Sequence, residues 1–227
     1  MLSFLTSLVA PKHCLLCEGL LRPAEQSVCQ ICVDAQPRCS PIELERLKRV
    51  SNTANASFHA PLINTPSVST LCHSMKYGGN LWLARQLGRE IMGPSLKVIN
   101  TQTVILIPMP ISKKRLRTRG YNQSEQLAKG CLTFIKDHGI NALILPVLEK
   151  IHDRKSQVEM SPFERWTNPR GSLRVSQKIK QRIPRDALLV LIDDTVTTGS
   201  TLICAAEVIR KEFPEQPLHL LALALEV

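Results

Sequence analysis

Aromatic residues are scarce. Phe, Trp and Tyr together make up 4% of the 227 residues, so a surface that works mainly by ring stacking is poorly supplied; Trp82, Trp166, Tyr77 and Tyr121 are its few candidates. Long apolar runs are missing as well. None approaches the roughly 20 residues that span a bilayer, and no transmembrane segment is expected. The opening Met1–Ala10 is apolar, but it lacks a basic stretch ahead of it and runs directly into Pro11, Lys12, His13 and Cys14. That pattern argues against a signal peptide and for a short amphipathic helix on a cytoplasmic protein. Internal repeats and low-complexity tracts are also lacking. At 44% hydrophobic and 21% charged, the chain can bury a core, which excludes a wholly disordered protein and a disulfide-stapled miniprotein. Its length suggests one or two domains.

Acidic residues are outnumbered, 19 Asp and Glu against 29 Lys and Arg, for a net charge of +10. Residues 1–50 contribute only +1 of it and residues 51–227 the other +9. Such an excess favours polyanionic partners, either nucleic acid or phosphate-rich substrates, without choosing between them.

The eight cysteines are unevenly spread, and a reducing compartment argues against a disulfide framework. Cys72, Cys131 and Cys204 lie among apolar neighbours and read as buried small hydrophobes. Cys14-x2-Cys17, eleven residues and Cys29-x2-Cys32 have the spacing of a four-thiolate zinc ribbon. Each knuckle presents two sulfurs on a tight turn, and a structural zinc ion stands in for the core that a module of this size cannot build. Cys39 reads as a spare and His13 as a polar neighbour. The expected division is a zinc-ribbon module over 1–50 and a larger domain over 51–227. Residues 40–57 are expected to form a linker or a short helix ending in a loop.

The remaining chain alternates strand and helix patterns. Val104–Ile107, Ala142–Leu145, Leu188–Ile192 and Leu218–Leu225 read as strands; Ser124 to about His138 and Ser200–Glu212 read as helices. The alternation predicts an α/β fold, a parallel sheet flanked by helices, with its ligand at the carboxyl ends of the strands.

At the end of the clearest strand, Asp193 and Asp194 are followed by Thr195, Val196, Thr197, Thr198, Gly199, Ser200 and Thr201, which open into a helix. Unpaired amides at a helix start receive a phosphate, Gly199 permits positive φ, and the hydroxyls add donors. The turn has no lysine and does not match GxxxxGK[ST], so it is not a nucleotide P-loop. Two carboxylates beside such a nest would repel a phosphate unless sugar hydroxyls or a divalent cation lay between, and a phosphorylated sugar resolves the conflict. A plain strand end followed by a helix cap is the alternative reading of the same residues.

The string from Leu189 to Thr201 resembles the PRPP-binding motif of type I phosphoribosyltransferases. Ile107-Pro-Met-Pro110, Arg115 and Arg117-x-Arg119-Gly-Tyr-Asn-Gln123 resemble a signature of the ComF/GntX family, with Tyr121 where Phe is usual. Arg154-x2-Gln157, Arg165-x2-Asn168 and Met75-Lys-Tyr-Gly-Gly79 are similar to further family segments. The chain is identified on these residues as a ComF-family member.

The resemblance implies a type I phosphoribosyltransferase fold with PRPP or ribose 5-phosphate as ligand, Asp193 and Asp194 as its catalytic pair, and Mg2+ on the pyrophosphate. It places Lys113, Lys114, Arg115, Arg117 and Arg119 in a loop facing pyrophosphate or DNA. Segment 150–171, with Arg154 and Arg165, becomes a mobile loop over the sugar. The family's association is with incoming single-stranded DNA in natural transformation, and other uptake machinery at the inner face of the membrane becomes a possible partner. The alternative is an active transferase that displaces pyrophosphate from PRPP with a nitrogen nucleophile, through an oxocarbenium-like transition state. Phe58–Leu62 is the candidate for a base-binding hood.

Overall fold

The computed structural model describes residues 12–23, 25–97, 103–151 and 173–226. The opening amphipathic segment, Trp166 and most of the expected mobile loop, including Arg154 and Arg165, lie outside the described residues.

A mostly parallel sheet flanked by helices forms the centre. Its strands are β1 (Ser57–His59), β2 (Leu62–Ile63), β3 (Thr103–Pro108), β4 (Asn141–Ile144), β7 (Leu188–Val196) and β8 (Leu218–Leu225), in the order β1-β8-β7-β3-β4, with β2 also pairing with β8. A separate antiparallel pair joins β5 (Leu148–Lys150) to β6 (Leu173–Val175). β3 and β7 are sealed on both sides, which is why Val104–Ile107 and Leu188–Ile192 are unbroken apolar runs. Phe58 belongs to the edge strand β1, in register with Leu220, rather than to a hood over the carboxyl end of the sheet.

The helices are α1 (Gln30–Asp34), α2 (Pro41–Ala54), α3 (Pro66–Tyr77), α4 (Leu81–Leu87), α5 (Lys113–Arg119), α6 (Gln123–Asp137), α7 (Gln177–Lys180) and α8 (Ser200–Glu212). The stretch expected as a linker or short helix is the fourteen-residue α2. A capping box between Ser40 and Glu43 starts it, and Leu47, Val50 and Ala54 bury it against the layer containing α8. The opposite layer is built from α3, α4 and α6, and the cysteine-bearing segment adds Cys14, Val28 and Val33 to the same core. Polar bonds fasten that segment down: Ser27 Oγ donates to Asn80 Oδ1 at 3.0 Å, and Gln86 Nε2 donates to the Val28 carbonyl at 2.7 Å.

Beyond α4 the chain winds into a π turn, Gly88–Met92, packed against α6. A Cβ on Gly88 would lie 2.2 Å from the Leu127 carbonyl oxygen, and one on Gly130 would lie 2.1 Å from that of Arg85. The two backbones therefore touch, and neither can recoil as a flexible side chain would. Gly130→Ala should cost about 2–3 kcal/mol, read as a lowered denaturation midpoint, whereas Lys129→Ala on the exposed side should change stability by less than about 0.5 kcal/mol.

Candidate functional site

The order of the sheet creates a switch point. From β3 the chain crosses through α6 to β4 on one side; from β7 it crosses through α8 to β8 on the other. Crevices form where neighbouring connections diverge in this way, outside the carboxyl ends of the strands. β3 pairs with β7 only as far as Pro108 and Ile192, whereas β7 stays paired with β8 to Val196 and Leu225. Asp193, Asp194 and Thr195 therefore project past the end of β3 while still held by β8.

Two side chains from elsewhere meet these acids. Lys76 Nζ, at the end of α3, lies 3.3 Å from Asp194 Oδ2 and donates to Thr195 Oγ1 at 3.0 Å. Ser124 Oγ, in the first turn of α6, donates to Asp193 Oδ1 at 3.2 Å. The pair also accepts from its own backbone: Asp194 N donates to Asp193 Oδ1 at 2.9 Å and Thr195 N to Asp194 Oδ1 at 2.7 Å. Burial and the neighbouring Asp194 charge push the Asp193 carboxyl up to about 7, against the pull of the Asp194 amide, the Ser124 hydroxyl and Lys76. Lys150, the last residue of β5, is lowered by burial and by Arg115, with Asp193 opposing. Those two effects place Lys150 and Arg115 in the electrostatic neighbourhood of the acids.

The turn after β7 encloses a concavity of about 50 Å3 lined by Asp193, Thr195, Val196 and Thr197–Leu202. Asp194 is not among its walls. Gly199 has φ 77°, and the space its Cβ would take is filled by Val50 of α2, 2.6 Å away. The glycine thus serves both the turn and the packing of α2 beneath it. Thr198 Oγ1 accepts from Ser200 N at 3.4 Å, so part of the turn also caps α8. Hydroxyls and the start of a thirteen-residue helix surround the hollow, and helix-start amides are groups that can receive an anion.

The segment after β3 differs from the expected loop. Lys113, Lys114, Arg115, Arg117 and Arg119 lie on α5, which Ser112 starts by accepting from Arg115 N and Gly120 ends at φ 77°. A good cap at each end outweighs the mutual repulsion of five cations. Lys113–Arg117 are exposed. Arg119 turns inward, its guanidinium 5.2 Å from the Tyr77 ring centre and its Nη1 donating to Gln123 Oε1 at 2.9 Å. Tyr121 OH donates to the Met75 carbonyl at 2.5 Å, and Asn122 Nδ2 donates to the Met109 carbonyl at 2.9 Å. Asn122 also caps α6 through Ser124 N. Arg119–Gln123 thus knots together the end of α3, the turn after β3 and the start of α6. A second basic group, Lys178, Lys180, Arg182 and Arg185, precedes β7 in the chain, and its Lys180 pairs with Glu212 at 2.7 Å.

Lys76, Ser124 and Lys150 were not singled out as site residues in the sequence. For two of them a signal existed: Lys76 lies in Met75–Gly79, and Ser124 follows Gln123 directly. Lys150 has no local mark.

Cys14, Cys17, Cys29 and Cys32 converge, with all four Sγ atoms within 4.8 Å of one another. Burial alone would raise the Cys14 thiol, but the amides of Cys17, Cys29 and Leu16 outweigh it and bring the thiol down to about 6. Burial and the adjacent sulfurs push Cys32 up instead. The Cys14 thiolate is favoured while those of Cys29 and Cys32 are not, which is the conflict a dication relieves. The donor set fits zinc, which these four residues can hold without an open ligand position. Cys39 stands apart, its Sγ 3.5 Å from the Leu62 carbonyl and its thiol raised by burial to about 11. Zinc analysis should find one ion per chain, and Cys17→Ser with Cys29→Ser should lose it, lowering the melting temperature, while Cys39→Ser retains it.

No family profile matches the chain. It is similar to Competence protein F of Haemophilus influenzae, 23% identical over 214 residues that cover 88% of this chain and 91% of the relative. It is also similar to Competence protein ComFC of Bacillus subtilis, 25% identical over 199 residues covering 86% of this chain and 76% of the relative. Similarity of that extent, joined to the four-cysteine cluster and to the segments Met75–Gly79, Arg117–Gln123 and Leu189–Thr201, relates the chain to the ComF-type competence proteins.

Proposed function

We propose that this chain is a competence protein that handles incoming single-stranded DNA and carries a PRPP or ribose 5-phosphate pocket at the carboxyl end of β7. The observation that carries the reading is the meeting, at the switch point of the sheet, of an acid pair with a hydroxyl-lined turn opening a helix. The names of its relatives supply the competence role, and the positive charge beyond residue 50 supports a polyanionic partner.

In the pocket, the turn Thr197–Thr201 holds the 5-phosphate through hydroxyls and helix-start amides. Asp193 accepts from the ribose diol, with Ser124 orienting its carboxylate. Asp194 is kept in place by Lys76 and by the Thr195 amide. Three of the pair's four oxygens already accept bonds from the chain, so the residues present offer Mg2+ little beyond Asp193. Mg2+ is expected to travel on the pyrophosphate oxygens, where it supplies charge neutralisation. Arg115 and Lys150, in the electrostatic neighbourhood of the acids, are available to a pyrophosphate leaving that position.

For the strand, exposed Lys113, Lys114, Arg115 and Arg117 supply sequence-independent phosphate contacts. Tyr77 and Trp82 are 63% and 55% exposed, and each lies beneath an arginine, Arg119 at 5.2 Å and Arg85 at 4.9 Å. Such aromatic–guanidinium faces accept bases without choosing among them. Tyr121 is half-buried, with its hydroxyl bonded to the Met75 carbonyl.

Asp193→Asn with Asp194→Asn should remove PRPP and ribose 5-phosphate binding in calorimetry, and unchanged affinity would reject the pocket. Charge reversal at Arg115 and Arg117 should flatten the salt dependence of single-strand binding by about one unit of slope per lost phosphate contact. An unaltered slope would reject α5 as part of the path. Steady release of pyrophosphate in the presence of a base would favour the transferase alternative.

A further inference from the structure

A phosphate nest beside two carboxylates needs a positive charge to be habitable, and the sequence alone suggests sugar hydroxyls or a divalent cation for that purpose. The folded chain holds another answer. Lys76 Nζ sits 3.3 Å from Asp194 Oδ2 and 3.0 Å from Thr195 Oγ1, with the Lys76 and Asp194 side chains only 23% and 14% exposed. At that burial solvent screens the pair far less than it screens the cations of α5. The ammonium is also placed in advance. Tyr121 OH and Gln123 Nε2 both donate to the carbonyl of Met75, the residue before it. Tyr77, the residue after it, lies under Arg119. The last turn of α3 is thus gripped on both sides of Lys76, and its side chain reaches across 119 positions of sequence to the acid-bearing strand.

We propose that Lys76 is the resident counter-ion of this acid pair, so that the pocket takes a sugar monophosphate without any divalent cation. The proposal rests on the sugar-phosphate reading of the pocket and adds a residue and a metal requirement to it. Lys76 acts as a positioning residue: it holds Asp194 and Thr195 and cancels one negative charge, leaving Asp193 to meet the diol. A ligand bearing only the 5-phosphate then meets a balanced site. A ligand that also carries pyrophosphate brings three or so further charges, which exceed what one lysine cancels, and it retains its dependence on Mg2+.

The test is calorimetry of the full zinc-loaded chain with ribose 5-phosphate and with PRPP. Each is measured with Mg2+ and in buffer stripped of divalent ions over a resin, without added chelator, so that the cysteine site keeps its ion. For the wild type, removing Mg2+ should change ribose 5-phosphate affinity by less than about twofold and weaken PRPP by more than about tenfold. Lys76→Met keeps the aliphatic stem; it should weaken ribose 5-phosphate by about tenfold or more without Mg2+ and recover part of that loss with Mg2+. Lys76→Arg should behave as the wild type. A merely structural lysine would not exchange its loss for a metal requirement. Ribose 5-phosphate binding by the wild type that needs Mg2+, or Lys76→Met binding as tightly as wild type without it, overturns the proposal while leaving the pocket standing. Absence of binding of both ligands under every condition overturns the pocket and this proposal together.

Discussion

Two adjacent carboxylates at the open end of a buried strand must be compensated, and much of the site is arranged around that electrostatic demand. β7 outlasts β3 by four residues, so the acids escape the fully dry sheet but remain half-buried beside β8. Their charge is answered by three kinds of group: an ammonium from α3, a hydroxyl from α6 and the strand's own amides. None suffices alone, because a carboxylate withdrawn from water needs both opposite charge and hydrogen bonds. Burial and the neighbouring Asp194 charge together push the Asp193 carboxyl up to about 7.

Holding an ammonium at that place requires a rigid last turn in α3, and Arg119–Gln123 provides it. The segment spends its polar groups on backbone carbonyls and on a helix cap, and not on an anion: Tyr121 on Met75, Asn122 on Met109, Gln123 on Met75. Basic residues and motif residues that look alike in sequence therefore divide their labour. Arg115 and Arg117 remain exposed, while Arg119 is drawn over Tyr77 and into the scaffold. The four-cysteine cluster plays a similar supporting part on the far side of α3 and α4, since Cys14, Val28 and Val33 complete the core on which Met75 rests.

Apolar runs and helical spacing were legible because they report local geometry. β3, β8, α6 and α8 all lie within about a residue of where the alternation of strand and helix puts them, and β7 starts at Leu188 as expected but runs four residues further, to Val196. The stretch before residue 57 was less legible: its polar surface masked Leu47, Val50 and Ala54, which bury α2 only because α8 and β1 are there to receive them. The cations after Pro108 were expected in a loop because the family resemblance places one there, yet Ser112 and Gly120 cap a helix.

What the sequence by itself determined is therefore the order of elements, the thiolate quartet and the coincidence of an acid pair with a hydroxyl-rich turn, each encoded within a dozen or so neighbouring residues. Tertiary structure alone decided which distant groups answer those acids, that Gly199 yields its Cβ space to Val50, and that β7 extends beyond β3 to bare the pair. The physical reason is range. Periodicity and spacing act along the chain over a few ångströms, whereas compensation of a half-buried charge depends on which side chains packing happens to bring within about 3 Å, and Lys76 stands 119 positions from the threonine it meets.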